Sequence, residues 1–388
     1  MRVLYILDPA TRGGATESFL SLIRHIKKHG ISPIVCTSND DHLNNMLDEL
    51  GIRNFAIHHY EMITSQDSGH GLQTLKRNTR KLLKYIKHDI QAIRTIRKHV
   101  DMEAIDIIHT NSSRSDVGFW LSMLYHKPHI VHLREFGDMD YEVYPLNPCW
   151  KHVYNRFSSR FICVSKAVQE HWISKGIRRE KTCVVYNGIN YERVLSSSDD
   201  SKYEIPLKMV IVGVVTISKG QYLAINAMRE LSAEIKPNVT LDIIGSYWDR
   251  YKEQIEEAAL KNGVQGQIRF LGQCDDVLQR IADYHIGLMC SRAEGFGRVT
   301  AEYMFARLGI IASNTGANPE LITSGEEGLL FHYEDEVSLA RAIEYYYANR
   351  DVLIKHSNAA RLKAEKMFKA EMYADNVYNV YQQTVTIE

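Results

Sequence analysis

The sequence predicts an α/β protein built as two consecutive doubly wound domains, each a parallel sheet covered by helices. Three observations carry that expectation. The chain has 388 residues, beyond the ~250–300 at which a single hydrophobic core stops growing. Short apolar, β-branched runs alternate with segments of helical periodicity along the whole length, the pattern of parallel strands joined by covering helices. That alternation also falls into two series, separated by the polar break Ser196-Ser197-Ser198-Asp199-Asp200-Ser201.

In the first series the expected strands are Val3–Leu7, Ser32–Thr37, Ile105–Thr110, His129–Leu133, Arg160–Val164 and Thr182–Tyr186. The second runs through Met209–Val215, Thr240–Ile244, Gln267–Leu271, Ile286–Cys290, Ile310–Ser313 and Gly328–Phe331. The expected domains are therefore 1–195 and 205–365, with 366–388 a last helix, centred on Met372–Gln383, that crosses back to the first. Ligands of such sheets gather beyond the carboxyl ends of the strands. The chemistry is thus to be sought in the loops that follow strands, facing a cleft between the domains.

Composition narrows the class. Hydrophobic residues make up 45% and charged residues 24%, the values of a soluble globular protein. Basic and acidic residues both number 47, a balance that speaks for no nucleic-acid partner. Cys36, Cys149, Cys163, Cys183, Cys274 and Cys290 are widely scattered; none pairs at zinc-site or redox spacing, so reduced thiols are expected. The opening MRVLYILDPA is too short an apolar run for a signal peptide, and no window reaches the length of a membrane span. A cytoplasmic location is expected, with at most peripheral contact at the inner face of the membrane.

The segment Leu75–Val100 is where such contact would fall. It carries Lys76, Arg77, Arg80, Lys81, Lys84, Lys87, Arg94, Arg97 and Lys98, with Leu82, Leu83, Ile86, Ile90, Ile93 and Ile96 at helical spacing. A basic face on anionic lipid or a lipid-phosphate acceptor is one reading. A solvated face on a helix packed against the first domain is the other.

The run from Cys290 to Glu302, Cys-Ser-Arg-Ala-Glu-Gly-Phe-Gly-Arg-Val-Thr-Ala-Glu, carries the chemistry. A strand enters a loop with a carboxylate and two glycines, and a helix starts near Arg298. Glycines let backbone approach a ligand, and the free N–H groups of a helix start attract phosphate or sugar oxygens. Glu294 and Glu302 would then aim two carboxylates at one pocket, a fit for vicinal hydroxyls.

This pattern, Glu-Gly-Phe-Gly opening a Glu-x7-Glu pair, resembles the family-4 glycosyltransferases of GT-B type, with two Rossmann-like domains. The resemblance extends to Arg12-Gly13-Gly14-Ala15-Thr16-Glu17 after the first strand, to Val164-Ser165-Lys166-Ala167, and to Tyr186-Asn187-Gly188-Ile189-Asn190. Phe270-Leu271-Gly272 and Gly316-Ala317-Asn318-Pro319-Glu320 follow in the family's order. It implies a retaining transfer of a hexose from a nucleoside diphosphate sugar, most commonly a UDP-sugar, to a glycan, glycolipid or protein-linked acceptor in cell-surface glycan assembly. No metal and no cofactor beyond the donor is implied. Gly14 would underlie the donor diphosphate, and Lys219 would neutralise it as it leaves. Glu294 with the backbone of Gly295, Phe296 and Gly297 would hold the transferred sugar. Arg298, Val299 and Thr300 would add N–H donors, Glu302 would take the ribose, and Gln273 would border the base.

Two departures from the family matter. Val214 follows Gly213 where relatives carry an arginine, so Lys219 would need help from Arg298 or Arg134. In Pro128-His129-Ile130-Val131-His132-Leu133-Arg134-Glu135, Arg134 holds the position of the relatives' active-site histidine. Arg134 could steady the diphosphate or the acceptor hydroxyl, or form a plain ion pair with Glu135; His132 could be a core histidine. These departures keep two other readings open: a non-catalytic GT-B subunit beside an active partner, and a nucleotide-sugar epimerase. His58-His59 and the other histidines have no carboxylate at ligand spacing, so no metal site is expected.

Overall fold

The computed structural model describes residues 1–7, 13–38, 41–65, 72–191, 206–247, 249–274 and 276–386. Arg12 of the first glycine loop and the polar break at 196–201 lie outside the described residues. The chain forms two compact units: Met1–Gly188 with Ala370–Glu388, and Ile189–Lys369.

Unit 1 is a parallel sheet in the order β3-β2-β1-β5-β6-β8-β9. Its strands are β1 (Arg2–Ile6), β2 (Ser32–Thr37), β3 (Arg53–Ala56), β5 (Ile107–Thr110), β6 (His129–Leu133), β8 (Arg160–Cys163) and β9 (Thr182–Val184). A separate antiparallel ribbon pairs β4 (Ile63–Ser65) with β7 (Val143–Pro145). The chain starts at the middle, at β1, builds outward to β3, and then returns to the other side of β1 through β5. The switch point thus lies between β1 and β5.

Both sheet faces are buried, as a parallel sheet requires. On one, Val3, Tyr5, Val35 and Ile107 meet α1 (Gly14–Ile26) and the last helix, α14 (Ala370–Thr386), through Phe19, Leu22, Tyr373, Val377 and Tyr381. On the other, Leu4, Ile6, Cys36 and Ile108 meet α3 (Leu72–His99) and α4 (Val117–Tyr125). The remaining helices of this unit are α2 (Asp41–Glu49), α5 (Trp150–Phe157) and α6 (Lys166–Ser174).

Unit 2 repeats the plan in the order β12-β11-β10-β13-β14-β15. These strands are β10 (Leu207–Val212), β11 (Val239–Ile244), β12 (Ile268–Gly272), β13 (Ile286–Met289), β14 (Gly309–Ser313) and β15 (Leu329–Phe331). Its helices are α7 (Gln221–Glu230), α8 (Asp249–Lys261), α9 (Val277–Ile281), α10 (Arg298–Phe305), α11 (Asn318–Leu321), α12 (Glu336–Ala348) and α13 (Arg350–Met367). The order reverses between β10 and β13, so the loops after those two strands meet at its switch point. Where the sequence places the last helix from 366, α14 begins at Ala370.

Candidate active site

The switch point of unit 2 brings Lys219, in the loop after β10, to Glu294, in the loop after β13. Lys219 Nζ donates to Glu294 Oε1 at 2.6 Å. The lysine side chain is 33% exposed and the glutamate 14%, so the pair keeps one open side and a reduced dielectric on the other. Backbone holds these two loops together, Arg292 N donating to Ser218 O at 2.8 Å, and ties the loop after β14 to the second of them, Ala317 N donating to Glu294 O at 2.9 Å.

Two glycines make these close approaches possible. Gly220, at φ +73, follows Lys219, and a Cβ there would stand 2.1 Å from Cys290 O. Gly316, at φ +57, would place a Cβ 2.6 Å from both N and O of Glu294. Neither clash can relax, because the atoms met are backbone, and only glycine adopts those φ values freely.

Helix α10 opens immediately after Gly297, which takes the left-handed conformation at φ 77, ψ 52, and no side chain caps it. The N–H groups of Arg298, Val299 and Thr300 form the first turn of the helix, where the i−4 ladder supplies no acceptor, at the positive end of its dipole. Thr300 is buried, its hydroxyl donating to Asn318 Oδ1 at 3.3 Å, and Asn318 Nδ2 donates to Ser313 Oγ at 3.1 Å. Phe296 is buried, edge-on to Phe368 at 5.5 Å. One turn along, Arg298 Nε lies 2.9 Å from Glu302 Oε1. Arg298, one candidate to replace the absent arginine, thus stands beside the carboxylate expected to take the ribose. Val214, which follows Gly213, is 47% exposed. Gln273 is exposed just past β12.

In unit 1 the residues named from the sequence sit differently. Gly14 is the exposed first residue of α1. Arg134, beyond β6, is 8% exposed and turned into the protein. Its Nε donates to Asn111 O at 3.0 Å, Nη1 to Asn187 Oδ1 at 2.9 Å, and Nη2 to Asn111 Oδ1 at 2.7 Å and Tyr373 OH at 3.1 Å. The plain Arg134–Glu135 pair does not form. Glu135 instead accepts from Ser113 Oγ at 2.7 Å and lies 3.8 Å from Arg114 Nε. In this structure the guanidinium donors of Arg134 are engaged by Asn111, Asn187 and Tyr373. A direct hold on diphosphate would need those bonds exchanged.

His132 does lie on the same side as Arg134, with Nδ1 3.3 Å from Nη2. Burial, then the Arg134 charge and the neighbouring His109, hold its pKa well below the usual histidine range, so it is a neutral core imidazole. His109 Nδ1 is bonded to Tyr381 OH at 2.6 Å, and that hydroxyl donates to Tyr5 OH at 2.9 Å. Sequence reasoning missed Tyr373 and Tyr381. Their signal is the aromatic spacing on α14, which marks a buried face but not which strand ends it reaches.

Two Rossmann-like units of parallel strands, the second with a lysine–carboxylate pair at its switch point, define the class as GT-B glycosyltransferases. The chain shares its fold with HepE of Anabaena, solved in complex with UDP, at a TM-score of 0.79 over 99% of this chain and 100% of that one, with 19% identity. A model described as Glycosyltransferase Family 4 matches residues 12–193, and one described as Glycosyl transferases group 1 matches 196–367. Together they take in nearly all of the chain, which belongs to this glycosyltransferase family. A lipopolysaccharide core biosynthesis mannosyltransferase of Rhizobium leguminosarum bv. viciae is 31% identical over 44% of this chain and 49% of its own length. An uncharacterized glycosyltransferase of Methanocaldococcus jannaschii is 25% identical over 88% of this chain and 93% of its own.

Proposed function

We propose that the chain is a retaining, metal-independent hexosyltransferase that uses a nucleoside diphosphate sugar, first of all a UDP-sugar. Its acceptor is a glycan, glycolipid or protein-linked sugar in cell-surface glycan assembly. The observation that carries this reading is the Lys219–Glu294 pair at 2.6 Å beside the uncapped start of α10. In it Lys219 and the α10 N–H groups take the diphosphate charge that grows as the glycosidic bond breaks. Glu294 and the Gly295–Gly297 backbone hold the sugar, Glu302 the ribose, and Gln273 borders the base. The departing phosphate oxygen accepts the acceptor hydroxyl's proton as the new bond forms on the same face, so no protein base is needed. Support for the donor comes from HepE, whose structures include one with UDP-glucose. The Rhizobium mannosyltransferase supports a role in surface-glycan assembly.

We also read α3 as a peripheral contact to anionic lipid at the inner face of the membrane. Lys84, Lys87 and Arg94 are exposed beside Leu83, 63% exposed, and Ile90, 45% exposed, while Asp89 is buried. None of the described helices is long and apolar enough to cross a membrane. Co-sedimentation with anionic liposomes that weakens as salt rises is the expected result; absence of binding at low salt removes this contact.

The donor reading is tested by incubating the protein with a panel of nucleotide sugars, with and without candidate acceptors, and following nucleoside diphosphate release. Release that rises with acceptor is expected. A rearranged nucleotide sugar formed without acceptor would assign an epimerase. Neither release nor a thermal shift with any nucleotide would leave a non-catalytic subunit.

A further inference from the structure

The strands of the unit 1 sheet run parallel, so their amino ends share one edge, opposite the edge where ligands of doubly wound sheets gather. At that edge β6, β8 and β9 are neighbours. Lys127 lies two residues before β6, Arg160 opens β8, and Lys181 stands one residue before β9. Arg156, in the last turn of α5, joins them. These four cations line an open cleft of about 650 Å³, together with Met123 and His126 at the end of α4.

No aspartate or glutamate lines this cleft, and none of the four cations forms an ion pair among the described residues. Their partners are backbone carbonyls. Lys181 Nζ donates to Asn155 O and Ser158 O, both at 2.7 Å. Arg160 Nη1 donates to Glu180 O at 2.8 Å, and Lys127 Nζ to Glu103 O at 3.0 Å. Arg156 is exposed, its guanidinium 5.5 Å from the Phe157 ring centre. A lysine has three N–H donors and an arginine five, so each keeps donors that no described protein group takes. The charges also crowd one another. Burial, then the charge of Arg178, with smaller pushes from Arg156 and Arg160 against the pull of Glu180, holds the Lys181 ammonium below the usual lysine range.

That lining selects an anion. A neutral sugar needs acceptors for its hydroxyls and a bare aromatic face. Here carboxylates are absent, Arg156 covers Phe157, and the hydroxyls are spent on backbone. Ser122 Oγ donates to Lys127 O and Phe157 O, and Thr384 Oγ1 to Val380 O. Ammonium and guanidinium groups suit phosphate oxygens, the arginine fork bidentately. The volume falls within the ~300–1,000 Å³ of small-molecule sites, which suits a small phosphorylated group rather than a polymer.

We propose that this cleft binds a phosphate group, carried by a small soluble molecule or by a lipid headgroup, at a site separate from the donor site of unit 2. The site stands whether or not unit 2 transfers a sugar. The probes, added to the full chain, are inorganic pyrophosphate and vesicles of phosphatidylcholine with and without phosphatidic acid. The reporter for pyrophosphate is the Met123 methyl resonance in protein labelled at its methionine methyls, assigned with Met123→Leu. A saturable shift is expected, about tenfold weaker in affinity in Arg156→Gln and in Arg160→Gln. It should survive in Lys219→Ala, which removes the cation of the donor site. Thermal unfolding identifies a variant that has lost its fold; Arg156→Gln, which breaks no hydrogen bond among the described residues, keeps the test open. No shift with pyrophosphate, but phosphatidic acid-dependent co-sedimentation that weakens about tenfold in both arginine variants, assigns the site to a lipid headgroup. Vesicle binding that ignores both substitutions belongs to α3 and, without a pyrophosphate shift, overturns the proposal. No response to either probe overturns it, as does pyrophosphate affinity equal to wild type in the folded variants. Loss of the shift in Lys219→Ala, or an equal shift from sodium chloride alone, overturns it too.

Discussion

The two units solve the same problem, furnishing the strand ends of a parallel sheet, with different materials. In unit 2 the site is made by backbone: Gly220 lets the loop after β10 touch the loop after β13, Gly316 lets the loop after β14 touch it too, and α10 presents its first N–H groups. Two ion pairs, Lys219–Glu294 and Arg298–Glu302, supply the charge. In unit 1 the strand ends are filled by side chains, with Arg134 spanning Asn111, Asn187 and Tyr373. Backbone-made sites need particular residues at short, fixed spacing. Side-chain networks need partners that the fold alone brings together.

The sharpest way to break this contrast lies in unit 2. Glu294→Ala should cut acceptor-dependent nucleoside diphosphate release by ~100-fold or more. The same change should cost no more than ~1 kcal/mol of stability, because the pair is partly solvated. Wild-type turnover in that variant would take Glu294 out of the site.

Gly316→Ala tests the backbone itself. It strains a left-handed residue and drives a methyl into the Glu294 main chain, so unit 2 should lose ~3 kcal/mol or more in urea unfolding. Donor binding should fall with it. A folded, active variant would show that the loops after β13 and β14 need not touch.

For unit 1, Arg134→Met leaves two buried amide oxygens and a carbonyl without donors, at an expected cost of about 3 kcal/mol. Arg134→Lys should recover little of this, since one ammonium cannot reach Asn111 and Asn187 as the planar fork does. Tryptophan fluorescence, to which Trp120, Trp150 and Trp172 of this unit contribute, follows the transition. If Arg134→Met keeps full stability but loses transfer, Arg134 acts on substrate rather than on its neighbours.

The smallest effect concerns Asp89 on α3, whose pKa is pushed up to about 8 by burial and then by the Asp116 charge, against a lowering bond from Trp120. A carboxyl with a raised folded pKa binds its proton more tightly folded than unfolded. Its contribution is complete below the unfolded value near 4 and fades as pH rises through about 8. Asp89→Asn should therefore flatten the decline of unit 1 stability across that window. An unchanged slope would assign the decline to Asp116, itself pushed up to about 6 by burial.

The same contrast explains what the sequence made legible. The long apolar strands were readable because strands buried on both faces are continuous runs of Val, Ile and Leu. The strands β3, Arg-Asn-Phe-Ala at a sheet edge, and β4 and β7, three residues each, escaped because they are too short and mixed to show a period. The unit 2 loop was legible down to its residues, since Glu294, Gly297 and the helix start lie within one turn of sequence. Arg134 was singled out for its place in a motif, but its inward orientation depends on Tyr373, a sequence separation of 239. No local pattern encodes that partner.

The membership of α14 in unit 1 has a consequence for how the chain is made. Residues Ile189–Lys369 are contiguous, so unit 2 draws its whole core from one stretch of chain. Unit 1, though synthesised first, lacks Tyr373, Val377 and Tyr381 from its core until the stretch beyond Ala370 has been translated. Its exposed sheet face must wait for that stretch, and the half made first is the half finished last.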